Sequence, residues 1–219
     1  MMRCSKLSLS IIVIVTTAFV AFGQQHTYPK GAYMSFEEIV DKTPSQQYAL
    51  EVEKRTKGDI KMVGGNDYKI ISADKAIKTK IIKKEMWAYS DGDTLYLNCF
   101  QYKVQPWYAK VISDGDYLVF RGGLSQHMDE QKKQMEIGFY FGAIGGAMAG
   151  AKMAMLRFLY VVEKETNEIF TVTPEFLEEL LGNNAELLSR FNQESNKESE
   201  EILLKYLVLL NEKCWINIE

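Results

Sequence analysis

Ala88-Tyr89-Ser90-Asp91-Gly92-Asp93-Thr94-Leu95-Tyr96-Leu97 and Val111-Ile112-Ser113-Asp114-Gly115-Asp116-Tyr117-Leu118-Val119-Phe120 are two versions of one phrase. Each reads as strand, Asp-Gly turn, strand. An Asp-Gly pair flanked by alternating apolar residues suits a two-residue type I′ turn, whose central positions both require φ > 0. The sharper alternative is Ca²⁺ held by the two Asp-Gly-Asp pairs. Ca²⁺ takes about six to eight oxygen ligands, and two acids per turn do not supply them. The hairpin reading therefore sets the expected fold.

The period of two extends on both sides of this phrase, from residue 60 to residue 121. Residues 60–63 and 68–72 flank Gly64-Gly65-Asn66-Asp67, which signals a hairpin. Ile77, Thr79 and Ile81 alternate with Lys78 and Lys80, which reads as a strand carrying its lysines on a solvated face. Further on, 158–163 and 169–172 form a last hairpin around Thr166-Asn167. Helices follow. Thr173 is an N-cap with Pro174 at the first helical position, and Phe176, Leu177, Leu180 and Leu181 make one apolar stripe that Gly182 ends. Asn184 starts a second short helix, 192–199 is a polar linker, and Ile202, Leu203, Tyr206, Leu207 and Leu210 pattern a final amphipathic helix. Upstream, Ser35-Phe36-Glu37-Glu38 is a capping box for a helix cut short by Thr43-Pro44. The expected fold is α+β: an antiparallel β-meander of about six to eight strands, C-terminal helices, and an inserted Gly-rich apolar helix or loop.

The N-terminus reads as a secretory signal peptide spanning 1–23. Arg3 and Lys6 give a positive start, 11–22 is apolar, and Ala21 and Gly23 are small residues suited to cleavage before Gln24. The apolar run is too short for a spanning helix. Cys4 precedes it and so cannot be a lipoprotein cysteine. The expected mature chain is one α+β domain over 24–219, with 125–155 a helical or mobile Gly-rich insertion and 173–213 its helical C-terminal part. The chain is mildly acidic, at −3, and becomes more so once Arg3 and Lys6 are removed. That balance argues against a nucleic-acid partner, which wants a basic footprint. Export permits a disulfide between Cys99 and Cys214 without requiring one.

Catalytic patterns are sparse. His26 and His127 are the two histidines, and neither a zinc-binding His-Glu-x-x-His nor a nucleophile elbow occurs. A Cys99–His127 pair is weaker than the plain reading of Cys99 as a buried core thiol. Trp87, Tyr89, Tyr96, Tyr102, Trp107 and Tyr108 could form a sugar- or peptide-binding platform, but sheet aromatics more often pack the core. No cofactor or metal is expected.

The most distinctive stretch is 137–151. Gly138, Gly142, Gly146 and Gly150 recur every four residues with Ala143, Ala147 and Ala151 beside them. On a helix this makes a continuous small-residue face, of the glycine-zipper kind, where another backbone can approach closely. Each helical glycine costs about 0.8–1.0 kcal/mol relative to alanine. Counting Gly145, the run needs about 4–5 kcal/mol of compensation from close packing, self-association or an apolar medium. The apolar run, ended by Lys152, is shorter than the roughly twenty residues that span a bilayer.

As a set, Tyr28-Pro29-Lys30-Gly31, Ser35-Phe36-Glu37-Glu38-Ile39, Thr43-Pro44-Ser45, Trp87-Ala88-Tyr89-Ser90-Asp91-Gly92 and Thr173-Pro174-Glu175-Phe176-Leu177 resemble a group of uncharacterised exported proteins from Bacteroidetes. The resemblance implies a Gram-negative envelope or secreted setting and carries no activity. The leading expectation is an exported, non-catalytic envelope protein acting by binding or assembly, with the glycine face as contact. Membrane association through 137–151 is the alternative, and a secreted hydrolase is the third.

Overall fold

The computed structural model describes residues 28–125, 151 and 153–213. Both Asp-Gly phrases sit at hairpins. In chain order the elements are β1 (Gly31–Tyr33), α1 (Phe36–Val40), β2 (Leu50–Lys54), α2 (Lys57–Val63), β3 (Tyr68–Ser72), β4 (Ala88–Ser90), β5 (Leu95–Asn98), β6 (Tyr108–Asp114), β7 (Tyr117–Gly122), β8 (Phe158–Glu163), β9 (Ile169–Thr171), α3 (Pro174–Leu180), α4 (Ala185–Asn192) and α5 (Glu200–Lys213). The class is α+β. Among the described residues the sheet has nine strands, one more than the upper end expected, in the order β1-β4-β5-β6-β7-β8-β9 with β2 and β3 as a branch. All pairings are antiparallel. Strand β6 joins the parts: Tyr108 pairs with both Asn98 and Tyr68, and from Val111 onward β6 pairs with β7 past an irregularity between Val111 and Ser113.

Four expected local structures are corrected. Residues 60–63 end helix α2 and are not a strand. Thr56 and Asp59 cap α2 reciprocally, each side chain accepting from the other's backbone N–H, and this local bonding outweighs the strand pattern. Its neighbour β3 therefore pairs with β2, in register Leu50↔Ser72 to Lys54↔Tyr68. Residues 79–85 are helical, with a π-turn at Ile81–Glu85, where a strand over 77–81 was expected. Ile82 is the buried residue of that turn, lodged with Met86, Tyr89 and Tyr108. Neither Asp-Gly turn is of the expected type. Gly92 has φ +107°, whereas Asp91, Asp114 and Gly115 lie outside the left-handed region. The Ser35 box is also half made. Ser35 Oγ accepts from Glu38 N–H, but Glu38 Oε2 accepts from Met34 and Ser45 N–H instead of Ser35.

The C-terminal reading holds. Thr173 Oγ1 caps α3 by accepting from Phe176 N–H, and Asn184 Oδ1 caps α4 by accepting from Leu187 N–H. Leu177, Leu181, Leu187, Phe191, Leu203, Tyr206 and Leu207 pack these helices on Val119, Leu159 and Val161 of the sheet. Asn211 pins α5 to the β6–β7 turn: its amide donates to Ser113 Oγ and Tyr117 O and accepts from Tyr117 N–H.

The sheet aromatics are mostly core, against the platform reading. Tyr33, Tyr89, Tyr108 and Tyr160 are fully buried. Each donates its hydroxyl to a backbone carbonyl, of Pro29, Leu50, Ile82 and Gly123 respectively. A buried phenol needs such a partner; for Tyr89, Tyr108 and Tyr160 it lies in a distant segment, and for Tyr33 four residues back at Pro29. Trp87, Phe36 and Tyr102 meet edge-on or tilted within the core. Trp107 is half-buried and Phe100 exposed.

Candidate functional site

The structure builds one polar junction with care, at the base of the stretch between β7 and β8. It starts from Gly64-Gly65-Asn66-Asp67, the link between α2 and β3. Asn66 is 1 % exposed. Its side-chain amide donates to the carbonyls of Val104, Gln105 and Pro106 at 2.8–3.3 Å, and its Oδ1 accepts from Gly123 N–H at 2.7 Å. Gln105 Oε1 accepts from Gly65 N–H, and Gln105 N–H donates to Leu124 O. Val104 and Ser125 form an isolated bridge. The outgoing strand end, 122–125, is thus held by hydrogen bonds from two loops.

The returning end is held by one side chain. Arg157 donates from Nε and Nη2 to Asp67 Oδ1 at 2.9 and 2.6 Å, from Nη2 to Gly65 O, and from Nη1 to the carbonyls of Ala154 and Leu156. Its side chain is largely buried, where a charge-assisted bond is stronger than at an open surface. The planar guanidinium closes the helical turn at 153–155 and fixes it to the Gly65-Asp67 link. Beside it Arg55 is buried, with Nη1 on Asn66 O, and burial draws its pKa down. Gly65 leaves no room for a side chain: a Cβ there would fall 2.4 Å from Trp107 Cδ1. Trp107 itself has φ +80°, an uncommon backbone for a large residue, and its ring lies between Arg55 and Lys83 at 5.5 and 4.7 Å.

Two other places concentrate chemistry. Asp114 is half-buried, with Tyr28 O–H and Lys164 on Oδ1 and Lys42 on Oδ2. Burial disfavours its charge, but the hydrogen bonds and charges of the two lysines outweigh burial and hold its pKa below the ordinary aspartate value. Between β9 and α3 lies an open groove of about 1000 Å³, with stacked Phe170 and Phe176 in its wall and Glu163, Glu175 and Glu179 among its lining residues.

Of the residues singled out from sequence, Gly138, Gly142, Gly146, Gly150, His127 and Cys214 lie outside the described residues. Cys99 is fully buried after β5, its Sγ donating toward Leu97 O, and burial pushes the thiol pKa well up. Such a thiol is a poor nucleophile. The Asp91 carboxylate accepts from Asp93 and Thr94 N–H as a turn-former. Among the described residues no group of three or more acidic, His or Cys side chains is placed to hold a metal, and no helix is long and apolar enough to cross a membrane. Sequence reasoning missed the Asn66–Arg157 junction. Gly64-Gly65-Asn66 was visible as a turn signal, but nothing local reveals that Asn66 meets Gly123.

A family model described as a family of unknown function, DUF6563, matches residues 31–214. The chain belongs to that family. The DUF6563 match starts at β1 and runs through both arms of the junction and the glycine-rich stretch between them. No curated protein and no solved structure matches the chain.

Proposed function

We propose that this DUF6563 protein is an exported, non-catalytic envelope protein that acts by binding or assembly, using the small-residue face of Gly138, Gly142, Gly146 and Gly150 as its contact surface. The observation that carries the reading is the junction: a buried network centred on Asn66 and Arg157 fastens the chain on both sides of 126–150. A connector with no task would not need that. The fourfold glycine spacing then supplies a surface on which two backbones can close without intervening side chains. The apolar start with Ala21 and Gly23 and the resemblance to exported Bacteroidetes proteins support an envelope or secreted location. Mass spectrometry of protein from the native host is expected to find Gln24 as its N-terminus. A retained Met1 would remove that part of the reading.

The glycine face is tested by the sign of a mutation. Gly142→Leu and Gly146→Leu insert bulk where a close contact leaves none, so stability or association falls. In a solvated helix without such a contact the same changes stabilise, by up to about 1 kcal/mol each, because leucine is the better helix former. Crosslinking and sizing of the wild type beside Gly146→Leu then distinguish a contact within one chain from one between chains. Stabilisation with unchanged oligomeric state and unchanged membrane partition would refute the glycine contact.

A further inference from the structure

The surface beside the junction has a composition the proposed function does not use. Met62 and Val63, the last residues of α2, are 84 % and 70 % exposed, and Phe100 is 44 % exposed. These are three of the five large apolar side chains that stand out at the surface among the described residues. Chain adjacency and ring contacts connect them around Trp107. Val63 precedes Gly64-Gly65, Gly65 lies against Trp107, and the Trp107 ring lies under Lys83 Nζ. Next to it, Lys84 Nζ stands 5.8 Å over the Phe100 ring, and Gln101 Nε2 donates to Lys84 O. Lys83 and Lys84 are exposed and form no ion pair among the described residues. Glu85, next in the chain, is engaged with Lys80.

The π-turn at Ile81–Glu85 explains how two adjacent lysines reach this position. It buries Ile82 and turns Lys83 and Lys84 outward, one over each aromatic ring. Nothing in the core requires Met62 and Val63 to be apolar, since Ile60 alone of α2 is buried. Scattered single apolar side chains are ordinary, whereas a contiguous apolar rim marks a contact surface. Its chemistry separates two kinds of partner. Protein interfaces are depleted in lysine. Surfaces that sit at a bilayer headgroup layer combine lysine with Trp, Phe and aliphatic tips, the cations on lipid phosphates and the tips just below them. The chain as a whole is acidic, so attraction to an anionic surface has to be local, and this rim supplies it.

We propose that the rim formed by Met62, Val63, Phe100 and Trp107 with Lys83 and Lys84 docks the protein peripherally on an anionic lipid bilayer. Lys83 and Lys84 engage lipid phosphates, and Met62 and Val63 enter the acyl boundary. The docking does not depend on the glycine-rich stretch.

The test uses the protein as processed in cells, sedimented with phosphatidylcholine vesicles and with vesicles that also contain phosphatidylglycerol. Binding is expected to the anionic vesicles, weakly to the neutral ones, and to be released by a high-salt wash. Lys83→Gln with Lys84→Gln is expected to weaken the anionic partition about 10- to 30-fold. Met62→Ser with Val63→Ser, both at exposed positions that the fold does not use, is expected to weaken it about tenfold. Absence of binding to the anionic vesicles overturns the proposal. So does binding that survives the salt wash and is unchanged in both double variants, which would assign membrane contact to 137–151. A lipid-free dimer lost in Met62→Ser with Val63→Ser would make the rim a contact between copies and would equally overturn it. None of the four substitutions touches 137–151, so failure here leaves the glycine-face reading standing.

Discussion

Gly92 and Gly115 hold equivalent places in the repeated Asp-Gly phrase and are glycine for different reasons. Gly92 has φ +107°, and a Cβ there would meet only Lys30 Cβ at an ordinary 3.8 Å, so its constraint is the backbone. Gly115 has an ordinary φ, but a Cβ there would fall 2.5–2.6 Å from the side chain of Asn211. That side chain cannot retreat, because it is 2 % exposed and bonded to Ser113 and Tyr117. Gly92→Val is therefore expected to cost about 1–3 kcal/mol whatever stands at 211. Gly115→Ala is expected to cost about 2–3 kcal/mol in the wild type and under about 1 kcal/mol in an Asn211→Ala background. A double-mutant cycle in urea measures both. Equal cost of Gly115→Ala in the two backgrounds would dismiss the contact. The sequence showed that both positions want glycine. It could not show why at Gly115, because the reason lies 96 residues further along the chain, at Asn211.

At the scale of elements, legibility follows how local the deciding interaction is. The β4–β5, β6–β7 and β8–β9 hairpins and the caps at Thr173 and Asn184 were readable because their signals lie within a few residues of where they act. Helix α2 was not. It buries one residue, Ile60, and carries Gly58, so it shows no apolar stripe. What makes it a helix is the Thr56–Asp59 cap and the anchorage of Arg55 on Asn66 O and Asp59 O. Thr56→Ala removes the cap and is expected to cost about 1 kcal/mol. With so little buried area to hold it, α2 should then lose amide-exchange protection selectively, while β2 and β3 keep theirs. Uniform loss across all three would show that α2 does not open on its own. The Asn66–Arg157 junction was illegible for the same reason as Gly115, since Asn66 pairs with Gly123 and Asp67 with Arg157 across the whole middle of the chain.

For the whole molecule, Asp114 is the tie between distant parts. Its carboxylate receives Tyr28, Lys42 and Lys164, from before β1, after α1 and after β8. Its folded pKa lies below the unfolded value of about 3.9. Its contribution is thus full above about pH 4 and is lost as the pH falls through the folded pKa, because there the unfolded chain binds the proton first. Asp114→Asn is expected to cost about 2–3 kcal/mol at neutral pH and to flatten the acid side of the stability curve. An unchanged pH slope below pH 4 in urea titrations would place the acid sensitivity elsewhere. The sheet also has a kinetic consequence. β6 meets β7 across a tight turn, but Gly122 pairs with Phe158 only after everything between them has been brought round. Each doubling of a closed stretch adds about 0.6 kcal/mol of lost chain entropy, so closing β7 on β8 carries about 2 kcal/mol more than a tight hairpin would. Replacing 126–150 with a short turn shortens that stretch nearly threefold and should therefore speed refolding by roughly fourfold in stopped-flow, with little change in the unfolding rate, if that closure belongs to the rate-limiting step. The stretch is then a clock as well as a connector: its length sets how long the newly made chain waits before β8 and β9 join the sheet.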